Sequence, residues 1–119
     1  MNILFTLCGR AGSKGVRGKN ARDFLDVPLV WYSMANIALY MEKYAGEYDI
    51  KIVLNTDSGP LKDLVRRVKD VPVTIIHREE SLAGDKVPKV AVILDSLNKA
   101  EEVFACKFDM VVDLDITSP

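Results

Sequence analysis

The stretch Asn2-Ile3-Leu4-Phe5-Thr6-Leu7-Cys8-Gly9-Arg10-Ala11-Gly12-Ser13-Lys14-Gly15-Val16-Arg17-Gly18-Lys19-Asn20 decides the fold. Asn2–Cys8 is a short apolar run stopped by Gly9, the pattern of a buried strand. Gly9, Gly12, Gly15 and Gly18 then recur at every third position. Glycines let a backbone turn sharply and bring its N–H groups close to a phosphate. Arg10, Lys14 and Lys19 supply the charge that a polyphosphate needs. Two familiar phosphate loops do not match. The dinucleotide pattern G-x-G-x-x-G is replaced by G-x-x-G-x-x-G, and the Walker pattern fails both in spacing and at Asn20, where Ser or Thr is required. A flexible basic surface loop is the plain alternative, but a strand leading directly into the loop favours phosphate binding.

Outward from this segment, strand and helix patterns alternate. Pro28 opens a helix to about Tyr44, with Leu29, Val30, Met34, Ile37, Ala38 and Met41 at helical spacing. Ile50–Leu54 reads as a strand, and Asn55-Thr56-Asp57-Ser58-Gly59-Pro60 as a turn that caps the next helix, whose apolar face is Leu61, Leu64, Val65 and Val68. Val71–Ile76 reads as a strand despite Pro72. A polar loop from His77 to about Lys86, a helix over Val87–Phe104 and a strand over Met110–Leu114 complete the chain. The order β-α-β-α-β-α-β predicts a Rossmann-like, three-layer α/β/α fold around a mostly parallel sheet. Residues 1–119 read as one domain, without linkers or repeats. Ligands of such sheets bind at the carboxyl ends of the strands, here the loops 9–22, 55–59, 77–86 and 115–119. Asp115-Ile116-Thr117-Ser118-Pro119 follows a strand where a functional loop would begin, so the domain is expected to be truncated.

Charge is distributed unevenly. The net charge is −1, yet residues 1–22 carry five of the 16 lysines and arginines and none of the 17 acids. A basic segment on an acidic chain suits a small polyanion rather than nucleic acid or a membrane surface. No apolar run approaches the ~20 residues of a membrane span. The N-terminus lacks the features of a signal peptide, so a cytoplasmic location is expected. Cys8 and Cys106 make no disulfide framework and read as small buried hydrophobes.

The opening loop resembles that of the acylneuraminate cytidylyltransferase (CMP-N-acetylneuraminic acid synthetase) family, A-R-G-G-S-K-G-[IV]-x-x-K-N, at most positions. Pro28-Leu29 resembles the family's K-P-L-I, and Asn55-Thr56-Asp57 its S-T-D. Arg78 with Ser81-Leu82-Ala83-Gly84-Asp85 resembles R-P-x-x-L-A-x-D, and Thr117-Ser118-Pro119 the end of L-Q-P-T-S-P. The resemblance implies the N-terminal, nucleotide-binding part of a fold of the nucleotide-diphospho-sugar transferase type. It implies CTP and an acidic, nonulosonic sugar as substrates, Mg2+ as cofactor, and a homodimer for a full-length protein. Arg10, Lys14 and Lys19 would act on the phosphates as catalytic groups. Gly9, Ala11, Gly12, Ser13 and Asn20 would line the nucleotide, and Arg78, Ala83 and Asp85 would lie near base or ribose. Three positions depart from the pattern. Cys8-Gly9 stands for Pro-Ala; Lys86, Pro88 and Lys89 stand for small hydroxylated residues; Asp115 stands for a nucleotide-contacting Gln. Asp115 would line the nucleotide site and either hold magnesium through hard oxygen ligation or pair with a base of the loop.

Asp113 and Asp115 form D-x-D on one face of a strand. Both could reach one metal, but an acid within a strand is costly without a partner, so Asp113 is expected to make a local hydrogen bond or ion pair while Asp115 faces the site. His77 reads as a hydrogen-bonded loop histidine. Tyr40, Tyr44 and Tyr48 cover a core edge or a subunit contact, and Arg66, Arg67 and Lys69 form a solvated helix face. The residues leave open transfer of another base or to another sugar, such as 3-deoxy-octulosonate cytidylyl or hexose-phosphate guanylyl transfer, and also a non-catalytic nucleotide-binding module. Binding to the folded state alone raises a melting point as RT ln(1 + [L]/Kd). CTP with magnesium is therefore expected to stabilise the protein more than GTP, UTP or ATP, and Lys14→Ala to abolish the shift, as read by thermal denaturation.

Overall fold

The computed structural model describes residues 1–10, 23–24, 27–44, 46–84 and 86–116. A parallel sheet forms the middle layer. Its strands β1 (Asn2–Gly9), β4 (Asp49–Thr56), β5 (Val73–His77) and β6 (Met110–Leu114) lie in the order β5-β4-β1-β6. Between β1 and β4 come a two-residue antiparallel pair, β2 (Asp23–Phe24) and β3 (Val27–Pro28), and helix α1 (Leu29–Tyr44). Helix α2 (Gly59–Arg66) joins β4 to β5, and α3 (Lys89–Phe104) joins β5 to β6.

Strand β1 is central: it pairs with β4 from Asn2↔Asp49 to Gly9↔Thr56 and with β6 from Ile3↔Met110 to Leu7↔Leu114. Period-two alternation sends its side chains to two cores. Ile3, Phe5 and Leu7 join Val30, Met34 and Ile37 of α1, Ile52 and Leu54 of β4, and Leu61 and Val65 of α2. Leu4 joins Val53, Ile76 and Ala100, with Leu97, Phe104, Phe108 and Val111 packed against them, so α3 covers the other face. This division follows from handedness. The chain steps from β1 to β4 to β5 in one direction, then crosses back to place β6 on the far side of β1. Right-handed crossovers in opposite directions put their helices on opposite faces.

Local chemistry sets the helix ends. Ser58 caps α2: its hydroxyl accepts the Leu61 N–H at 3.2 Å, and its own N–H donates to Thr56 Oγ1 at 2.9 Å. Trp31 donates its indole N–H to the Leu64 carbonyl at 2.8 Å, fastening α1 to α2. The C-cap of α3, Ala105, sits in the left-handed region at φ 52° and passes its neighbour's N–H back to Glu101. Tyr40, Tyr44 and Tyr48 follow one another at 4.5 and 5.5 Å, starting from an edge contact between Tyr40 and Phe5 at 5.3 Å. They cover the edge of the α1 core.

Several boundaries differ from the sequence reading: β1 includes Gly9 and β5 includes His77, each paired with Thr56 of β4. Pro28 ends β3 opposite Asp23 instead of opening α1, because its ring fits an edge pairing that needs no N–H from it. Strand β4 runs on to Thr56. Strand β5 starts after Pro72, and Val71 is buried in the α1 core rather than paired. Helix α3 begins at Lys89, after Pro88 in extended conformation. Among the described residues no helix is long and apolar enough to cross a membrane.

Leu7 is fully buried at the centre of the sheet, whereas Val90 on α3 is 73% exposed. Leu7→Ala should cost about 2–5 kcal/mol, lost transfer energy plus a cavity. Val90→Ala should stay within about 0.5 kcal/mol. Urea unfolding with a constant m-value checks both.

Candidate functional site

The reversal of strand order lies between β1 and β6, and the crevice at such a point is where doubly wound sheets bind ligands. Four sequence-selected residues stand at this carboxyl edge. Gly9 is the last residue of β1 and Arg10 follows it; Arg78 follows β5; Asp115 follows β6. Ala83 comes directly after a short 3-10 turn, Glu80–Leu82, and its N–H donates locally to the Glu80 carbonyl. Ala11, Gly12, Ser13, Lys14, Lys19, Asn20 and Asp85 lie outside the described residues, as do Thr117, Ser118 and Pro119.

Arg78 starts two strands from β1 yet is brought back toward it. It is only 4% exposed. Its main-chain N–H donates to the Thr56 carbonyl at 2.9 Å. Its Nε donates to Asn55 Oδ1 at 3.0 Å and its Nη2 to the Asn55 carbonyl at 3.1 Å, so the side chain crosses the end of β4. Asn55 is the register partner of Cys8 on β1. Burial lowers the Arg78 pKa from its ordinary value, opposed by the charges of Cys8, Asp57 and Asp95 and reinforced by Arg10. Arg10 and Arg78 thus bring two guanidinium groups to the carboxyl edge near the end of β1, beside the carboxylates of Asp57 and Asp95.

A polar layer lies beneath this edge, between the sheet and α3. Asp113 on β6 accepts from Thr6 Oγ1 at 2.7 Å and from the Cys8 thiol at 3.7 Å, and pairs with Lys89 Nζ at 2.8 Å. The acid is therefore partnered locally, as an inward carboxylate requires, while Asp115 is the exposed member of D-x-D. Burial lowers the Lys89 pKa, but the hydrogen bond and charge of Asp113, with Asp115 behind it, outweigh burial and leave it raised. Farther along, Asn55 donates to Asp95 Oδ2 and Ser96 Oγ, each at 3.0 Å, and Lys99 bridges Asp95 at 3.2 Å and Glu79 at 3.3 Å. His77, exposed at the end of β5, has Nδ1 3.3 Å from Lys62 Nζ, so its nitrogen is the acceptor.

Sequence reasoning missed Asn55 and Lys89 as members of the site's framework. Lys89 was visible only as a departure from a family pattern; its pairing with Asp113 needs the N-terminus of α3 to meet the end of β6. A lone acid in a β-branched strand was the available signal. Magnesium takes one or two carboxylates beside phosphate oxygens. Both oxygens of Asp113 are engaged by Thr6, Cys8 and Lys89, and no group of three or more potential metal ligands occurs among the described residues. Asp115, exposed at the end of β6, carries a hard oxygen donor of the kind magnesium takes.

Cys8 is the buried thiol that its apolar neighbours suggested, with a polar contact to Asp113 added. Burial, then the charge of Asp113, pushes its pKa from 9.0 to about 11, against the lowering effects of Arg78, Ser96 and Lys89. The fold holds this proton to higher pH than the unfolded chain does. The associated stability is complete below pH 9.0 and disappears as pH rises toward about 11. Two pKa units correspond to roughly 2–3 kcal/mol. Urea titrations between pH 8 and 10.5 should show a decline in stability that is shallower in Cys8→Ala.

A scan against protein-family models finds no match. Among curated proteins, post-translational flagellin modification protein B of Campylobacter coli is 36% identical over 120 residues, which cover 98% of this chain and 46% of that protein. CMP-N,N'-diacetyllegionaminic acid synthase of Campylobacter jejuni is 32% identical over 117 residues, 98% of this chain and 46% of the other. The protein of the same name from Legionella pneumophila is 33% identical over 120 residues, 100% and 47%. The chain thus spans about half the length of the curated relatives it matches. Among solved structures, CMP:2-keto-3-deoxy-manno-octonic acid synthetase complexed with CTP superposes with a TM-score of 0.64 at 14% identity, over 98% of this chain and 40% of the other, and shares the fold. Across nearly its whole length, this chain is similar to about half of each of these curated proteins.

Proposed function

We propose that this chain forms the nucleotide-binding part of an enzyme that transfers CMP from CTP to a nonulosonic acid. The observation that carries the reading is the convergence of Arg10 and Arg78 at the end of β1, beside the order reversal of the sheet. The similarity to two CMP-N,N'-diacetyllegionaminic acid synthases supports a nine-carbon sugar acid as acceptor.

In the proposed reaction the anomeric hydroxyl oxygen of the sugar acid attacks the α-phosphorus of CTP. The new O–P bond forms as the bond to the α,β-bridging oxygen breaks. Pyrophosphate leaves with the electron pair, and the hydroxyl proton passes to solvent or a base. Positioning and charge stabilisation carry most of the catalysis in such transfers. Arg10, at the mouth of the glycine-rich loop, stabilises negative charge on the triphosphate, and Lys14 and Lys19 extend that role along the loop. Asn20 and the backbone of Gly9, Ala11, Gly12 and Ser13 hold the nucleotide. Arg78, with Ala83 and Asp85, contacts base or ribose. Asp115 is the carboxylate offered to magnesium, which when bound neutralises phosphate charge. Residues 1–119 act as one domain in this scheme, and the working enzyme is a cytoplasmic homodimer.

Pyrophosphate release should require both CTP and a nonulosonic acid, with GTP, UTP and ATP inactive. Arg10→Ala should lower kcat/KM by about 10²–10³-fold, the scale for removing one preorganised charge-stabilising donor. Tight nucleotide binding without pyrophosphate release, from any pair of nucleotide and sugar acid, would point to a binding module instead.

A further inference from the structure

Asn55 is completely buried at the carboxyl end of β4. Its side chain faces α3, as Val53 does two residues earlier. Its amide lies between two groups that only accept. One is the carboxylate of Asp95. The other is Ser96 Oγ, whose single hydrogen is already committed to the Val92 carbonyl at 2.8 Å. Both amide hydrogens of Asn55 must therefore turn toward α3, at 3.0 Å to Asp95 and 3.0 Å to Ser96. The amide oxygen is then turned the other way, toward Arg78 Nε at 3.0 Å.

The main-chain carbonyl of Asn55 takes Arg78 Nη2 at 3.1 Å, so one residue grips the Nε edge of the guanidinium with two acceptors. The outer end of Arg78 lies within reach of the charges of Arg10 and Asp57. A side chain as long as arginine has many rotamers; this grip selects one that points back across β4 to β1. Lys99, bound to both Asp95 and Glu79, in turn holds Asp95 in place.

We propose that Asn55 is a positioning residue: by holding Arg78 at one angle at the mouth of the nucleotide site, it sets the affinity for CTP without touching the nucleotide. The proposal rests on the reading of Arg78 as a nucleotide contact. Neither the comparisons nor the opening-loop motif selects Asn55; the determined orientation of its amide does.

The test is CTP affinity by calorimetry, with magnesium, on the intact protein, and melting temperature measured in parallel. Asn55→Asp keeps the acceptor for Arg78 but sets a carboxylate against Asp95. It should melt lower and yet bind CTP within about 3-fold of the parent. Asn55→Leu keeps the volume and removes the acceptor; it should bind about 10-fold more weakly, the scale of one misplaced charge-assisted hydrogen bond. Asn55→Leu combined with Arg78→Met replaces both polar partners by apolar groups, which keeps the fold. It should bind CTP no more weakly than Arg78→Met alone. Should Asn55→Leu fail to fold, Asn55→Asp and the double variant decide. Losses that multiply in the double variant, or an Asn55→Asp affinity as poor as a missing Arg78, would overturn the positioning role while leaving the nucleotide site standing. A parent protein that binds no CTP, or binds it equally well with Arg78→Met, would remove the reading of Arg78 and the proposal with it.

Discussion

The structure depends on β1 being enclosed from every direction. It is paired on both sides by β4 and β6 and covered on both faces by helices. A strand so placed is mostly apolar, because parallel strands buried on both faces have no solvent side, and a polar residue such as Thr6 needs a partner inside. It must also be left by a loop at its carboxyl end, since only there does the chain escape. Arg10 stands at that exit. The reversal of strand order occurs at the same strand, so the crevice for a ligand and the exit of the chain coincide.

The two cores are unlike. The face shared by α1 and α2 is mostly apolar, with Ser33, Thr56 and Ser58 as its buried polar residues. The α3 face is apolar near the amino ends of the strands, with Leu4, Val53, Phe104 and Phe108, and polar near their carboxyl ends, with Thr6, Cys8, Asn55, Asp113, Arg78 and Ser96. Hydrogen bonds there contribute little net stability against water, but leaving one unmade costs about 1–3 kcal/mol. Such a layer admits very few arrangements. It fixes the orientation of Arg78 and the distance between the start of α3 and the end of β6 through Lys89 and Asp113.

Much of this could be read from residue order. Alternating apolar runs gave the three helices and four principal strands. Single-residue chemistry was harder. Pro28 and Val71 carried local signals for a helix start and a strand, and tertiary pairing of Asp23 with Pro28 and packing of Val71 overrode them. The partners of Asp113 could not be named because they come from β1 and α3, up to 107 residues away. Asn55 looked like part of a capping turn, since nothing local tells a buried amide from a turn asparagine. The ion pair expected of Asp113 was legible because the cost of burying a charge does not depend on knowing its partner.

The central position of β1 has a consequence for the order in which a ribosome delivers the chain. Strand β1 can pair with β4 once residues 49–56 have been made, but its other edge meets β6 only when residues 110–114 appear. Throughout that interval an apolar strand with an unpaired edge is exposed in the nascent protein, and parallel pairing of such sequence separation is slow. Strand edges of this kind are templates for association between chains. Synthesis therefore exposes the same strand that the finished fold protects most completely.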